Sequence, residues 1–230
     1  GLNAASVDLV QAGGKAVLVV ERFARAKSDG GWARKAMVSG LTVLDLTEDT
    51  ARYASYEDLA GRLRRAGKSP TGALRELFGR MSFNILMGNT DDHARNHAAF
   101  WDGRFLELTP AYDIDPRPRL GRDANQAMAV HGRERGSRLE LALRAAPAFG
   151  LTRKTGEDII LSQAEAIMEN FPQVSEEAQM QEIDKDAIRG RAVLLVGIFD
   201  GLGGPLADSL PARAAAWRNG YRAMRARPVN

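Results

Sequence analysis

Two aspartates, two histidines, an arginine and two asparagines crowd into the thirteen positions of GNTDDHARNHAAF, residues 88–100. Asp91 and Asn96 stand five residues apart there, and Asp113 follows downstream in LTPAYDI. In phosphoryl transfer one carboxylate orients or deprotonates the substrate hydroxyl, while an amide oxygen and a second carboxylate hold Mg²⁺ against the phosphates. Protein kinases use the spacing D-x-x-x-x-N followed by a later Asp. The residues therefore predict an ATP- and Mg²⁺-dependent site.

Several side chains of this cluster have other interpretations. Asp91 taken alone is also typical of a helix N-cap. Asp92 breaks the five-residue spacing and is predicted to be a second-choice base or a helix N-cap partner. His93 and His97 could share a metal at an i, i+4 step, but no H-E-x-x-H acid stands between them. His97 begins a predicted strand, which favours a structural role.

The elements around the cluster can be predicted from apolar periodicity and turn residues. An apolar helix begins at Pro70 and ends at Gly88, directly before the cluster. The dipeptide Asp102-Gly103 predicts a hairpin directly after it. A second hairpin is expected near the N-terminus around Gly13-Gly14, and Ser55 is predicted to cap a helix that ends near residue 67.

The rest of the chain is predicted to be mainly helical. The segment AKSDGG, residues 26–31, is expected to be a loop, with a short apolar stretch at 41–46. Later helices are expected at 139–149, from 152 to about 171, from 176 to about 199, and from Pro211 onward. Trp217, Tyr221 and Met224 at helical spacing predict an apolar docking stripe.

Composition excludes several classes of protein. The 230 residues are 44% hydrophobic and include no cysteine, so neither disulfides nor thiolate chemistry are available. No apolar stretch approaches the roughly 20 residues of a membrane span, and no signal peptide is recognisable, which favours the cytoplasm. A net charge of +3 is too small to predict direct nucleic-acid binding. The start GLN, without Met, favours a fragment.

The positive charge is concentrated in one central segment. Residues 117–138 contain six arginines and two acids. These arginines either lie on solvated surfaces or contact an anionic ligand or a phosphorylated segment. If the chain is a kinase, this segment is the equivalent of the activation loop.

The stretches FNILMGNTDDHARN and LTPAYDI resemble the C-terminal, kinase-like region of HipA-family proteins, whose hallmark is an N-x-D-x-H-x-K/R-N loop followed by a Y-D motif. VLVVERF, residues 17–23, is similar to the strand and hinge that enter the adenine pocket of that family. The resemblance covers most of the chain, from the first hairpin to the helices near residue 202. It implies a Ser/Thr protein kinase, commonly the toxin of a toxin–antitoxin pair.

The resemblance also implies roles for particular residues and partners. The implied site comprises Asp91 as the catalytic Asp, His93 beside the phosphates, Asn96 and Asp113 as Mg²⁺ ligands, Asp113 also at the nucleotide, and Glu21 and Phe23 in the hinge that meets adenine. The residues alone leave His93 equally compatible with a bond that shapes the loop, and Glu21 with an exposed acid. The implied partners are a protein substrate with a Ser/Thr hydroxyl and a HipB-like DNA-binding antitoxin.

Two departures from the family pattern bear on activity. Arg95 stands where Lys is frequent, which keeps the charge but replaces a point ammonium with a planar fork. No phosphate-covering loop and no phosphate-clamping Lys precede the first strand, so the chain alone is expected to be a poor enzyme. A non-catalytic, kinase-like scaffold that docks an antitoxin or another protein is the alternative hypothesis.

The expected architecture is α+β and protein-kinase-like. Residues 1–23 are predicted to be the remnant of a small β lobe and the hinge. Residues 24–230 are predicted to form a mainly helical large lobe, with the catalytic loop at 88–100 and the metal-binding Asp loop at 109–116. The nucleotide is expected where the two lobes meet.

Overall fold

The computed structural model describes the backbone of residues 1–225 and the side chains of residues 1–220. The strands, which form three small antiparallel sheets, are β1 (Val7–Ala12), β2 (Lys15–Val20), β3 (Arg25–Ser28), β4 (Gly31–Arg34), β5 (Met37–Ser39), β6 (Ala98–Trp101) and β7 (Leu106–Leu108). The α-helices are α1 (Gly40–Val43), α2 (Tyr56–Ala66), α3 (Pro70–Met87), α4 (Leu139–Ala145), α5 (Arg153–Glu177), α6 (Glu182–Arg191) and α7 (Pro205–Arg225). Among the described residues, no helix is both long enough and apolar enough to cross a membrane.

The N-terminal hairpin has the predicted turn. Gly13 and Gly14 both have positive φ, +59° and +72°, as a two-residue turn of type I′ requires. The register pairs Val7 with Val20 and Ala12 with Lys15. All twelve residues of β1 and β2 are exposed, so the hairpin projects from the body of the protein.

The segment predicted as a loop at 26–31 lies largely within a second hairpin, so that prediction is wrong. Strands β3 and β4 pair Ala26 with Ala33 and Ser28 with Gly31. The two strands consist mainly of small and charged residues, so the sequence shows no alternating apolar pattern that would predict them. The pairing instead follows from the turn, where Gly31 adopts a φ of +114°.

The third sheet orders its strands β5-β6-β7 and carries the predicted Asp102-Gly103 turn. Asp102 Oδ1 accepts the backbone N–H groups of Arg104 (2.9 Å) and Phe105 (2.7 Å). Gly103 has a φ of +96°. The turn residues therefore close the hairpin as predicted, and β6 continues directly from the polar cluster.

Helices α2 and α3 form the centre of the core and match their predicted bounds. Ser55 Oγ accepts the N–H of Asp58 (3.0 Å) and caps α2. Leu77, Phe78 and Ile85 of α3 are fully buried, and each such side chain contributes about 1.5–3 kcal/mol of burial free energy. The helix ends where Gly88 turns left-handed at a φ of +70°.

Three later helix boundaries differ from the predicted ones. Helix α5 continues through Pro172 to residue 177, because its packing against α7 offsets the missing N–H of proline. The predicted helix 176–199 is wrong, since α6 ends at Arg191 and the N–H of Leu194 bonds the carbonyl of Leu86 (2.8 Å) instead. Helix α7 begins at Pro205 and contains Pro211.

The apolar stripe predicted on α7 can be assessed only at Trp217. Its ring meets that of Phe171 at 5.5 Å, and its Nε1 donates to the carbonyl of Met168 (3.1 Å). Trp217 is therefore half-buried and packs against α5. Tyr221 and Met224 lie outside the residues whose side chains are described.

The end of α3 gives a test of the packing around the polar cluster. A Cβ on Gly88 would overlap the carbonyl oxygen of Ala192, whereas Gly150, with nearly the same φ of +71°, has nothing within 4 Å of its Cβ position. We expect Gly88→Ala to lower the free energy of unfolding by about 2–4 kcal/mol, through backbone strain plus overlap. Gly150→Ala should cost about 1 kcal/mol, from strain alone. Equal losses in urea unfolding would refute the close approach.

Candidate functional site

Asp92 is a buried carboxylate in the loop that follows α3. Its Oδ2 accepts hydrogen bonds from the hydroxyl of Tyr56 and from Asn84 Nδ2 (2.7 Å), and lies 2.9 Å from His97 Nε2. Only 2% of the residue is exposed, so these partners replace the water that burial removes. They come from α2, α3 and the entry to β6, and Asp92 thereby fixes the loop to all three elements.

These contacts decide three predictions. Asp92 is neither a base nor an N-cap partner, because its carboxylate is shielded from substrate and already satisfied inside the protein. The structural role of His97 is confirmed by its bond to Asp92. The described part of the chain contains no group of three or more His, Cys, Asp and Glu residues that could hold a metal ion, which gives the shared zinc of His93 and His97 no support.

Asn89 connects the loop after α3 with the loop that carries Asp113. Its Nδ2 donates to Asn84 Oδ1 (2.9 Å) and to the backbone carbonyl of Asp113 (3.3 Å). Its Oδ1 accepts the N–H of Asp91 (3.3 Å). Since Asn84 also donates to Asp92, a continuous chain of buried amides runs from Asp92 to the backbone of Asp113.

The Asp113 loop is held in an uncommon conformation. Asp113 has a φ of +60°, a left-handed geometry that costs a non-glycine residue energy and often marks a functional position. The hydroxyl of Tyr112 donates to the carbonyl of Arg95 (2.6 Å). Buried Arg80 donates to the carbonyl of Thr109 (2.7 Å), where the loop begins. The start of the loop is thus anchored to α3, and the residue before Asp113 is anchored to the polar cluster.

A cavity of about 480 Å³ opens between this loop and the N-terminal hairpin. Its lining residues are Ala4, Ala5, Val7, Leu18 and Val20 on the hairpin side, and Ala111, Tyr112, Asp113, Ile114 and Asp115 on the loop side. One wall is therefore apolar and the other carries two carboxylates. Such a division suits a ligand with a flat apolar part and a charged part.

The two predicted hinge residues lie at the end of the hairpin, outside the lining of this cavity. The ring of Phe23 stands 5.7 Å from that of Tyr112 and 6.3 Å from that of Phe100. Glu21 is exposed, and its N–H bonds the carbonyl of Ser6 (2.9 Å). Phe23 thus packs between Tyr112 of the Asp113 loop and Phe100 of β6, while the side chain of Glu21 is exposed to solvent.

The predicted catalytic loop presents Asp91 at the surface. Asp91 Oδ2 lies 2.9 Å from Arg117 Nη2, and both side chains are about half exposed, so solvent weakens the pair. Asn96 is buried. His93 Nδ1 is shielded from solvent and has no hydrogen-bond partner in the described structure. The loop therefore offers one accessible carboxylate and one buried, unsatisfied imidazole nitrogen.

Sequence reasoning did not assign roles to Tyr56 and Asn84, and it gave Asn89 none beyond its place in the family hallmark. Asn84 carried a readable signal, because an amide inside the apolar run FNILM must find a partner when it is buried. Tyr56 carried no such signal, since a tyrosine on the apolar face of a helix is usually an ordinary core residue. Its partner, 36 residues away, depends on the tertiary fold.

Two solved structures share the fold of this chain. The HipA chain of a toxin–antitoxin complex with HipB and operator DNA, from Shewanella oneidensis MR-1, matches with a TM-score of 0.69 and 20% identity, covering 99% of this chain and 55% of that one. The proinflammatory kinase CtkA of Helicobacter pylori matches with a TM-score of 0.50 and 11% identity, covering 97% and 82%. The predicted α+β, kinase-like fold is confirmed.

Sequence comparison then identifies the family. The family model of the HipA-like C-terminal domain matches residues 1–171, and the chain belongs to that family. It is 26% identical over 215 residues to Y4mE of Sinorhizobium fredii, which carries a provisional kinase name, covering 85% of this chain and 50% of that protein. The serine/threonine-protein kinase toxin HipA of Shewanella oneidensis is 28% identical over 131 residues, covering 50% and 30%. The chain thus spans half or less of the length of these relatives.

The bond from Tyr56 to Asp92 can be tested through stability. We expect Tyr56→Phe to lower the free energy of unfolding at pH 7 by about 1–3 kcal/mol, because the buried carboxylate loses one donor. Tyr53→Phe is the matched control, since Tyr53 is 62% exposed and should change stability by less than about 0.5 kcal/mol.

The same variant has a predicted pH dependence. Burial, and next the charge of Asp92, raise the pKa of Tyr56 well above its usual value. The folded protein therefore keeps a proton that the unfolded chain releases near pH 10, so this contribution to stability falls as the pH rises above about 10. The difference between wild type and Tyr56→Phe should narrow there, and a constant or widening difference in urea unfolding at pH 7 to 11 would contradict the bond.

Proposed function

We propose that this chain carries the nucleotide site and the catalytic loop of an ATP- and Mg²⁺-dependent Ser/Thr protein kinase of the HipA-like type. The observation that carries the proposal is the bond from Asn89 to the backbone of Asp113, which ties the loop of Asp91 and Asn96 to the strained Asp113 beside a cavity. The cavity volume of about 480 Å³ lies within the range usual for small-molecule sites.

The donor set fits a magnesium ion that arrives with a nucleotide. Mg²⁺ prefers hard oxygen ligands and in phosphoryl-transfer sites is held by one or two carboxylates together with the substrate phosphates. Asn96 and Asp113 supply one amide oxygen and one carboxylate.

The nucleotide's adenine is assigned to the apolar wall of the cavity, against Val7, Leu18 and Val20. Asp113, on the opposite wall, would then be the residue that holds the phosphate end of the nucleotide through its metal ion. In this arrangement the ring of Phe23 packs against the ring of Tyr112, and the backbone next to Glu21 and Phe23 serves as the hinge. The unsatisfied Nδ1 of His93 is assigned as a donor to a phosphate oxygen.

Asp91 is assigned as the residue that meets the substrate. It accepts the proton of a Ser or Thr hydroxyl as that oxygen bonds to the γ-phosphorus, and the bond from phosphorus to the β–γ bridging oxygen breaks. Mg²⁺ neutralises charge on the phosphates when it is bound. The contact between Asp91 and Arg117 must open for this step, which is inexpensive because both side chains are half exposed.

The biological context is proposed from the relatives. The Shewanella oneidensis HipA is named a kinase toxin, and its solved structure contains HipB and operator DNA. We infer that the intact protein that includes this chain is likewise a toxin, with a HipB-like, DNA-binding antitoxin as its partner.

Thermal unfolding with ATP tests the nucleotide site. A ligand at about 100 times its Kd adds roughly 2.7 kcal/mol, which for a chain of this size raises Tm by roughly 5–10 °C. We expect that rise with ATP and Mg²⁺ together, and a much smaller one with ATP alone. Asp113→Asn should abolish the Mg²⁺-dependent part because it removes a ligand charge.

Two controls make the result specific. Asp208→Asn removes one exposed carboxylate from the first turn of α7 and should leave the shift unchanged. Asp91→Asn should keep the shift but abolish phosphate transfer to a protein substrate in the intact protein. An unchanged shift in Asp113→Asn would refute the metal assignment, and transfer that survives in Asp91→Asn would favour another base.

A further inference from the structure

A second cavity, of about 610 Å³, lies between the N-terminal end of α2 and the segment that follows the Asp113 loop. Backbone hydrogen bonds form its floor, from the N–H of Tyr56 to the carbonyl of Ala129 (3.0 Å) and from the N–H of Ala129 to the carbonyl of Ala54 (3.0 Å). Its lining residues, which we call the arginine groove, are Arg52, Tyr53, Ser55, Asp58, Ala129, Gly132, Arg133 and Arg135.

The three arginines of the groove are not paired with carboxylates in the described structure. Arg135 donates to the carbonyls of Ala127 and Arg52, which are neutral acceptors. Arg52 stacks on the ring of Tyr53 at 4.8 Å and donates to its hydroxyl. Arg133 is exposed. None of the three forms an ion pair in the part of the chain that the structure describes.

Neighbouring arginines of the same segment behave differently. Arg117 pairs with Asp91, Arg122 with Asp200 and Arg138 with Asp123. Acids therefore compensate the charge at these three positions of the segment, whereas Arg133 and Arg135, which line the groove, have no such partner.

The carboxylates at the groove are already committed to local structure. Asp58 Oδ2 accepts the hydroxyl of Ser55 (2.7 Å) at the N-terminal end of α2. Glu57, beside it, bonds His131 Nδ1 (2.9 Å) and the N–H of Gly132 (2.8 Å). Three arginines against Asp58 give the lining an excess of positive charge, and Tyr53 adds an exposed aromatic ring.

The groove adjoins the candidate catalytic loop through two direct connections. The N–H of Ala127, in the segment that leads to Arg133, donates to the carbonyl of Thr90 (3.1 Å), the residue before Asp91. The backbone of Tyr56 lies at the floor of the groove, and its side-chain hydroxyl donates to Asp92. The groove is thus separated from the Asp91 loop by the length of one tyrosine side chain.

Resting on the proposed kinase function, we propose that the arginine groove binds an acidic segment of the protein substrate, a few residues from the hydroxyl that meets Asp91. Guanidinium groups bind carboxylates through two parallel hydrogen bonds, and charge complementarity of this kind selects partners and speeds their association. The groove thereby assigns a substrate class, Ser or Thr flanked by Asp or Glu.

Direct peptide binding tests this assignment without any need for catalysis. The probe is a short fluorescein-labelled peptide in which glutamates flank a serine, compared with its glutamine counterpart by fluorescence anisotropy. We expect the acidic peptide to bind at least about tenfold more tightly than the glutamine peptide, and its affinity to fall with added salt. Arg52→Gln with Arg133→Gln should remove that preference.

A matched variant, Arg75→Gln with Arg104→Gln, removes the same charge from exposed positions outside the groove and should leave binding unchanged. Equal affinity for the two peptides, equal losses in the two double variants, or tighter binding of a labelled single-stranded DNA through Arg52 and Arg133 would overturn the proposal. The peptide assay needs no nucleotide, so it is independent of the proposed kinase activity. If ATP and Mg²⁺ fail to raise Tm but the acidic peptide still binds, the result counts against the kinase function and not against the groove.

Discussion

The arrangement of the site depends on one buried carboxylate, that of Asp92. A charge of that kind is stable inside a protein only when several donors meet it, and here Tyr56, Asn84 and His97 converge on one oxygen. Each donor belongs to a different element, so the requirement fixes the loop after α3 relative to α2, α3 and the β5-β6-β7 sheet. Asp91 therefore lies at the surface, because Asp92, the next residue in the chain, is held in the core. Two adjacent aspartates thus differ in environment, one held in the core and the other exposed at the surface.

The order of the elements around the polar cluster could be predicted from the sequence, because it depends on residue types and spacing along one short stretch. The helix before the cluster, the Asp102-Gly103 hairpin after it and the later Asp113 all lie where local signals indicated. The role of Asp92 could not be predicted, since burial and the partner Tyr56 arise only when α2 packs against α3. The two adjacent aspartates look alike in sequence, and tertiary contacts alone distinguish the exposed one from the buried one.

One error in the fold is local, and the others have the same physical origin as the missed role of Asp92. The β3–β4 hairpin lacks an apolar alternation, so its pairing depends on a turn instead of on side-chain pattern. Helix α5 runs through Pro172 because packing against α7 outweighs one lost hydrogen bond, and the helix expected at 176–199 breaks because Leu194 bonds the end of α3. Local propensity thus predicted the elements around the site and failed where distant segments meet. The sequence likewise showed only a basic segment at the arginine groove, because the fold determines which arginines have no carboxylate partner.

The central claim is that Asn96 and Asp113 hold the metal of a bound nucleotide. The most direct measurement is the NMR spectrum of the chain with ATP and Mn²⁺ in place of Mg²⁺, because the paramagnetic ion broadens the signals of nearby nuclei. If Asn96 and Asp113 hold the metal, the broadening is centred on residues 89–96 and 111–115, is absent without ATP, and is lost in Asp113→Asn. Broadening centred elsewhere, or unchanged in that variant, would contradict that claim.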